Sequence, residues 1–116
     1  MERTDVIQTV CRAALDKKAQ DVTVIHTAEL TVVADDFIIC SGGSKAQVKA
    51  ISDHIEEKMA EIGIKTEKTD GYNEARWIIL DYGSTLVHIF YEEDRAFYHL
   101  ERLWNNGSNT TVFRED

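Results

Sequence analysis

The sequence predicts an α/β protein with a mixed β-sheet of about five strands and flanking helices. Two segments place apolar residues at the spacing of one helix face, and short runs rich in β-branched and aromatic residues stand between and after them. The segments follow the order αββαβββα, which favours one layered domain. The 116 residues suit a domain over residues 1–104 and a polar, flexible tail over residues 105–116.

An amphipathic helix is predicted first, over about residues 5–19. Its apolar residues recur at i, i+3, i+7 and i+8: Ile7, Val10, Ala14 and Leu15. Thr4 is a suitable N-cap. The β-branched residues 22–26 then predict a strand, whereas residues 27–35 fit either a loop or a short edge strand around residues 30–33.

A buried strand and a capped helix are predicted next. The uninterrupted apolar residues 37–40 are typical of a strand that is covered on both faces. The turn at residues 41–44 (Ser-Gly-Gly-Ser) follows, and Ser44 with Gln47 forms a capping-box pattern at the start of a helix that ends at Gly63. The buried stripe of this helix consists of Val48, Ile51, Ile55, Met59 and Ile62. A strand, a helix and a return strand in this order suggest a parallel βαβ crossover.

The second half of the chain predicts a polar edge strand and an antiparallel hairpin. Residues 64–70 are mostly polar and suit the edge of a sheet. Residues 77–82 and 85–91 are apolar and aromatic, and the two-residue loop Gly83-Ser84 between them predicts antiparallel pairing. Residues 92–98 begin with acids and fit a short helix.

The charge balance restricts the class of partner. Acids outnumber Lys and Arg by 21 to 13, which gives a net charge of -8 and argues against nucleic acid as the direct partner. An acidic surface favours a basic protein partner, although the same charge could serve solubility alone. No apolar run approaches the roughly 20 residues that a membrane span needs, so no membrane partner is expected.

Two cysteines, Cys11 and Cys40, lie in a predicted helix and a predicted strand and form no CxxC pair. Buried, reduced thiols are therefore expected. The first residues carry neither a signal-peptide nor a transit-peptide pattern. A reducing, cytoplasmic and bacterial setting is expected.

The turn at residues 41–44 is the one candidate for nucleotide chemistry, because small residues before a helix can accept a phosphate. It matches neither G-x-G-x-x-G nor a P-loop. Nucleotidyl transfer also needs paired carboxylates for Mg²⁺ on the following strand, but Asp53 lies in the predicted helix and Asp81 stands alone. We expect a tight turn, no catalytic residues, no metal and no cofactor. A nucleotide-binding or nucleotidyltransferase enzyme remains the alternative.

Residues 77–104 are rich in aromatic residues with acids between them, the composition of a protein-binding patch. The same aromatics could instead close the core of a small sheet. We expect core positions for Phe90 and Phe97, whereas Trp77, Tyr98 and Trp104 fit either interpretation. His88 alternates with Leu86 and Phe90 on one strand face, which is typical of a structural imidazole.

With these residues the chain resembles the ribosomal silencing factor (RsfS, or iojap) family, in order and with family spacing over residues 5–104. The matching segments are residues 37–42, 77–83, 87–90 and 97–104, with Ser44, Gln47, Val48, Glu92, Glu93 and Arg95 and the pattern around residues 14–22. The departures are Ser84, where an acid is expected, Asp36, where a larger residue is common, and residues 105–116, which lie outside the pattern.

The resemblance implies a nucleotidyltransferase-like fold without catalytic carboxylates. It also implies a homodimer when free, and binding to large-subunit ribosomal protein L-fourteen (uL-fourteen) that blocks subunit association and represses translation under nutrient limitation. The residues it implies for partner binding are Trp77, Asp81, Tyr82, His88, Tyr98, Leu100, Glu101, Arg102 and Trp104. In this interpretation Asp81 and Glu101 meet basic residues, and Arg102 either contacts the partner or pairs internally with an acid. An adaptor for another basic protein is a further alternative.

Overall fold

A computed structural model describes residues 3–28, 34–93 and 109–112 of the chain. These residues form two helices and six strands, which confirms the predicted mixed α/β class with one strand more than expected. The elements in chain order are α1 (Arg3–Asp16), β1 (Gln20–His26), β2 (Asp36–Gly42), α2 (Lys45–Glu61), β3 (Lys68–Asp70), β4 (Trp77–Asp81), β5 (Thr85–Tyr91) and β6 (Thr110–Val112).

All six strands form one sheet, in the order β3-β4-β5-β2-β1-β6. Among the strands of the described ranges, only β2 and β5 pair in parallel, and the other neighbouring pairs are antiparallel. The parallel crossover is present, with β5 as the return strand after α2, β3 and β4. The exposed β3 lies at the sheet edge, as its polar sequence predicts, but it comprises only the last three residues of the predicted strand 64–70. Strand β2 is buried along its whole length.

Both helices cover one face of the sheet. Their buried residues, among them Val10, Ala14 and the α2 stripe from Val48 to Met59, pack against alternate residues of the central strands. Ile7, Leu15 and Ile62 lie at the margin of this core and are half-buried. Cys11 and Cys40 are buried as expected, and burial, together with the neighbouring Cys40, raises the pKa of the Cys11 thiol to about 12.

The ends of α2 follow the predicted chemistry. The hydroxyl of Ser44 accepts a hydrogen bond from the backbone N–H of Gln47 (3.1 Å), which confirms the cap. Gly63 adopts φ +83°, and the N–H groups of Gly63 and Ile64 donate to the carbonyls of Ala60 and Met59. This pair of hydrogen bonds is a Schellman motif, so the predicted end at Gly63 is confirmed.

The predicted bounds of α1 are wrong at both ends. The helix begins at Arg3, so Thr4 is not its N-cap, and it ends at Asp16 instead of near residue 19. It ends early because Lys18 adopts the left-handed conformation (φ +62°), so that Lys18 and Ala19 donate to the carbonyls of Leu15 and Ala14. Without a glycine at this position, the sequence gives no sign of the stop.

The hairpin of β4 and β5 confirms the loop prediction. Tyr82 N–H donates to the carbonyl of Thr85 (2.9 Å), and Gly83-Ser84 forms the loop between them. Asp81 Oδ1 accepts a hydrogen bond from the N–H of Gly83 (2.8 Å) and so stabilises the turn.

The structure corrects the prediction of a flexible tail for three of its residues. Residues 110–112 form β6, which pairs antiparallel with β1, and Asn109 exchanges two further hydrogen bonds with the backbone of His26. Two threonines and a valine favour extended backbone, and β1 offers its edge.

The strand considered around residues 30–33 and most of the helix predicted over 92–98 lie outside the described residues. Within the described ranges, no helix is long and apolar enough to cross a membrane.

Candidate protein-binding face

The sheet face opposite α1 and α2 carries a second hydrophobic cluster, which we call the second face. Strand alternation divides each strand between the two faces, and among the described residues no helical side chain belongs to this cluster. Its buried members are Ile25, Ala34, Phe37, Ile39 and Phe90, and the half-buried Trp77 and Leu86 pack against them. The second face therefore combines residues of four neighbouring strands with an aromatic group at the β4–β5 hairpin.

Trp77 and His88 meet on the second face. Trp77 Nε1 donates a hydrogen bond to His88 Nδ1 (3.0 Å), and the indole stacks on the Phe90 ring with centroids 5.0 Å apart. Phe37 approaches the imidazole edge-on from β2, with centroids 5.0 Å apart. Trp77 is half-buried, whereas Phe90 is fully buried as predicted. The hairpin thus holds one partly accessible indole against the buried ring of Phe90.

The environment of His88 fixes its protonation state. An indole N–H can only donate, so Nδ1 of His88 carries no proton and the neutral ring is protonated at Nε2. Nε2 is buried and has no hydrogen-bond partner within the described ranges. Burial lowers the pKa of His88 to about 4, so the ring is neutral at physiological pH.

Asp81 shares the second face with Trp77 because the two residues are four positions apart along β4, an even number. The carboxylate is half-buried, and one of its oxygens caps the Gly83 N–H. Between them on the same face stands Ile79, also half-buried, and Leu86 lies opposite Asp81 in the strand pairing. Ile79 and Leu86 are absent from the residues predicted for binding, although the period-2 alternation of β4 and β5 was a signal that could have found them.

Tyr82 does not join this group. Its ring packs against the helix-side core, because residue 82 has the opposite strand parity from residues 77 and 81. Burial, and to a lesser extent the charge of Glu56, raises the pKa of the Tyr82 hydroxyl. The structure therefore brings together Trp77, Asp81 and His88. The other five predicted binding residues lie outside the described ranges: Tyr98, Leu100, Glu101, Arg102 and Trp104.

The turn at residues 41–44 serves the helix. Gly43 N–H donates to Gln47 Oε1 (2.7 Å), and the amide nitrogen of the same side chain donates to the carbonyls of Lys17 and Lys18 (3.1 Å each). A β-carbon at Gly43 would lie 3.6 Å from a carboxylate oxygen of Glu92, which places an acid beside this turn. These contacts make the turn a helix cap, as the sequence favoured, and they also link it to the end of α1. Across the described ranges, no three His, Cys, Asp or Glu side chains form a group that could hold a metal ion.

Comparison with known proteins gives concordant matches. The chain matches the family model described as "Ribosomal silencing factor during starvation" over residues 1–116. It is 37% identical over 106 residues to the ribosomal silencing factors RsfS of Halalkalibacterium halodurans and Bacillus subtilis, covering 91% of this chain and 91% and 90% of the relatives. It is also 35% identical over 103 residues to the chloroplastic protein Iojap of Zea mays, covering 86% of this chain and 43% of that protein.

Solved structures match over almost the whole chain. A crystal structure from Bacillus halodurans superposes with a TM-score of 0.83 at 34% identity, covering 96% of this chain and all of that one (100%). A crystal structure of a Chromobacterium violaceum protein superposes with a TM-score of 0.89 at 26% identity, covering 99% of this chain and 95% of that one.

Proposed function

Because the chain belongs to the ribosomal silencing factor family, we propose that it silences ribosomes by binding large-subunit ribosomal protein uL-fourteen through the second face. A folded domain docked on that ribosomal protein would occupy space that the small subunit must enter. Subunit association would then fail, and translation would fall when nutrients are limiting. We propose that this happens in the cytoplasm and that the chain is a homodimer when free.

The binding proposal rests on one observation, which is that the indole of Trp77 is fixed in place at an accessible position. Energetic anchors of protein interfaces are usually aromatic or Arg side chains, and a side chain already fixed in one rotamer loses little entropy on binding. Trp77 is stacked on Phe90, hydrogen-bonded to His88 and still partly accessible. Half-buried Ile79 and Leu86 extend the apolar area beside it, and Asp81 adds a charge at the far end of β4.

Charge supports a basic ribosomal protein as the partner. With a net charge of -8 the chain is attracted to a basic protein and repelled by ribosomal RNA phosphates. Attraction raises the encounter rate, and repulsion disfavours wrong orientations on the subunit. Asp81 is proposed to meet Lys or Arg of uL-fourteen. By family resemblance, Glu101 is proposed to do the same, with Tyr98, Leu100, Arg102 and Trp104 completing the contact. Of the other residues that the resemblance includes, Tyr82 packs on the helix side, and His88 is buried beside Trp77 on the second face.

The binding proposal is tested by the affinity of the purified chain for uL-fourteen and for large subunits. Trp77→Ala should weaken binding by about 30-fold or more, as loss of an aromatic anchor does. Tyr72→Ala is the matched control, since Tyr72 is also a half-buried aromatic but packs on the helix side. Circular dichroism must first show that both variants fold. Equal affinities for the wild type and Trp77→Ala would contradict the second face as the binding surface.

The two alternatives predict different results in related experiments. A pulldown dominated by a basic protein outside the ribosome would favour an adaptor. Heat on calorimetric titration with nucleotide and Mg²⁺ would favour an enzyme at the turn of residues 41–44. The family and the relatives carry the names of silencing factors rather than of enzymes, and no observation at the turn favours nucleotide binding.

A further inference from the structure

The hydrogen bond between Trp77 and His88 runs diagonally across the hairpin. In the strand pairing Trp77 lies opposite Phe90, and His88 lies opposite Ile79, so the indole must lean along the strand to reach the imidazole. The side chains differ in access: Trp77 is half-buried, whereas His88 is only 5% exposed. A partner that approaches the second face therefore meets the indole and not the imidazole.

The imidazole is held by the sheet and not by the indole alone. The Phe37 ring approaches it edge-on with centroids 5.0 Å apart, and the Phe90 ring lies nearly parallel to it at 6.4 Å. Nδ1 therefore presents its lone pair in a direction set by neighbouring strands. An indole has several staggered rotamers on a strand, and one fixed acceptor selects among them.

We infer that His88 is a positioning residue that fixes the indole of Trp77 in the rotamer presented to the ribosomal partner, without touching that partner itself. This inference rests on the proposed function and changes the role that family resemblance gives to His88. The lone pair at Nδ1 is the required feature. Without it the indole loses one of the contacts that restrict its rotamer, and binding must then pay more ordering entropy.

Three substitutions separate positioning from contact. His88→Leu has no acceptor, His88→Asn places an amide oxygen near the position of Nδ1, and Trp77→Phe keeps an aromatic ring but removes the donor. The first readout is the indole N–H signal of Trp77 in a nitrogen–proton correlation spectrum of the free protein, assigned by its loss in Trp77→Phe. The second is the affinity for uL-fourteen.

We expect His88→Leu to shift or broaden the Trp77 indole signal and to weaken binding by about fivefold to tenfold, the effect of one hydrogen bond. His88→Asn should restore most of both. The double variant with Trp77→Phe and His88→Leu should bind as well as Trp77→Phe alone, because no indole N–H is left to position.

Two results would overturn the inference. One is an indole signal that stays unmoved in His88→Leu. The other is an equal loss of affinity from His88→Leu in the wild type and in Trp77→Phe, which would indicate direct contact. Failure of the wild type to bind uL-fourteen is a separate outcome that contradicts the proposed function and the partner named here, while the indole signal of the free protein still decides whether His88 holds Trp77.

Discussion

Gly71 lies directly against the backbone of Trp77, so that a β-carbon at residue 71 would overlap the carbonyl oxygen of Trp77. Gly71 also adopts φ +79°, in the left-handed region. It begins the turn that leads into β4, and Ala75 N–H donates back to its carbonyl (3.1 Å). The start of the strand that carries the proposed anchor therefore depends on the absence of a side chain at this residue.

Gly71→Ala should lower the free energy of unfolding by about 3 kcal/mol or more, because the left-handed conformation and the overlap both cost free energy. Gly63→Ala is the control, since Gly63 has φ +83° and a β-carbon there would meet open space among the described residues. That variant should lose only about 1 kcal/mol. Urea unfolding measures both, and equal losses would contradict the close contact with Trp77.

His88 should make stability depend on pH. Its pKa is about 4 in the folded chain and near 6.5 when unfolded, so the unfolded state binds more protons between these values. The free energy of unfolding therefore keeps its full value, as far as His88 is concerned, above about pH 6.5. It falls by up to about 3 kcal/mol as the pH decreases toward 4. His88→Asn lacks this titration. Unfolding curves at pH 7 and 4.5 should show a smaller loss for the variant, and parallel losses would refute the buried neutral imidazole.

Neither cysteine should react in the folded protein. Cys11 and Cys40 are 0% exposed, and the raised pKa of Cys11 leaves almost no thiolate at pH 8. A thiol-reactive disulfide reagent at pH 8 should modify the native chain only as fast as it opens, and should modify both residues promptly in urea. Immediate reaction of one thiol per native chain would show that α1 does not cover the sheet as described.

Ser44→Ala should destabilise the chain by about 1 kcal/mol, because it leaves the Gln47 N–H at the start of α2 without its acceptor. Ser44→Asp should be nearly neutral, since a carboxylate caps this position as well. Thermal unfolding compares the two variants. If Ser44→Asp lost as much stability as Ser44→Ala, the hydroxyl would not be acting as a cap.

The sequence predicts those parts of the fold that local chemistry determines. Gly83-Ser84 specifies the hairpin, Ser44 and Gly63 specify the ends of α2, and the apolar residues of β2 indicate a strand covered on both faces. Strand β6 was missed because it depends on pairing between Asn109 and His26, 83 residues apart in the chain. A local sequence pattern around residues 109–112 cannot show which distant strand these residues pair with.

The candidate site was only partly predictable for the same reason. Strand parity already separates Tyr82 from Trp77 and Asp81, and it would have added Ile79. The hydrogen bond from Trp77 to His88 depends on the register that places Trp77 opposite Phe90, and on Phe37 of the neighbouring β2, whose ring contacts the imidazole. Composition and spacing alone do not contain these relationships.

We propose that this chain, bound to the large subunit through its second face, prevents the two ribosomal subunits from joining. The most direct test of this claim adds saturating protein to separated small and large subunits and measures the joined fraction on a sucrose gradient. The wild type and Tyr72→Ala should both reduce the joined fraction, and folded Trp77→Ala should leave it near the level without protein. Unchanged joining in the presence of saturating wild-type protein would contradict the claim.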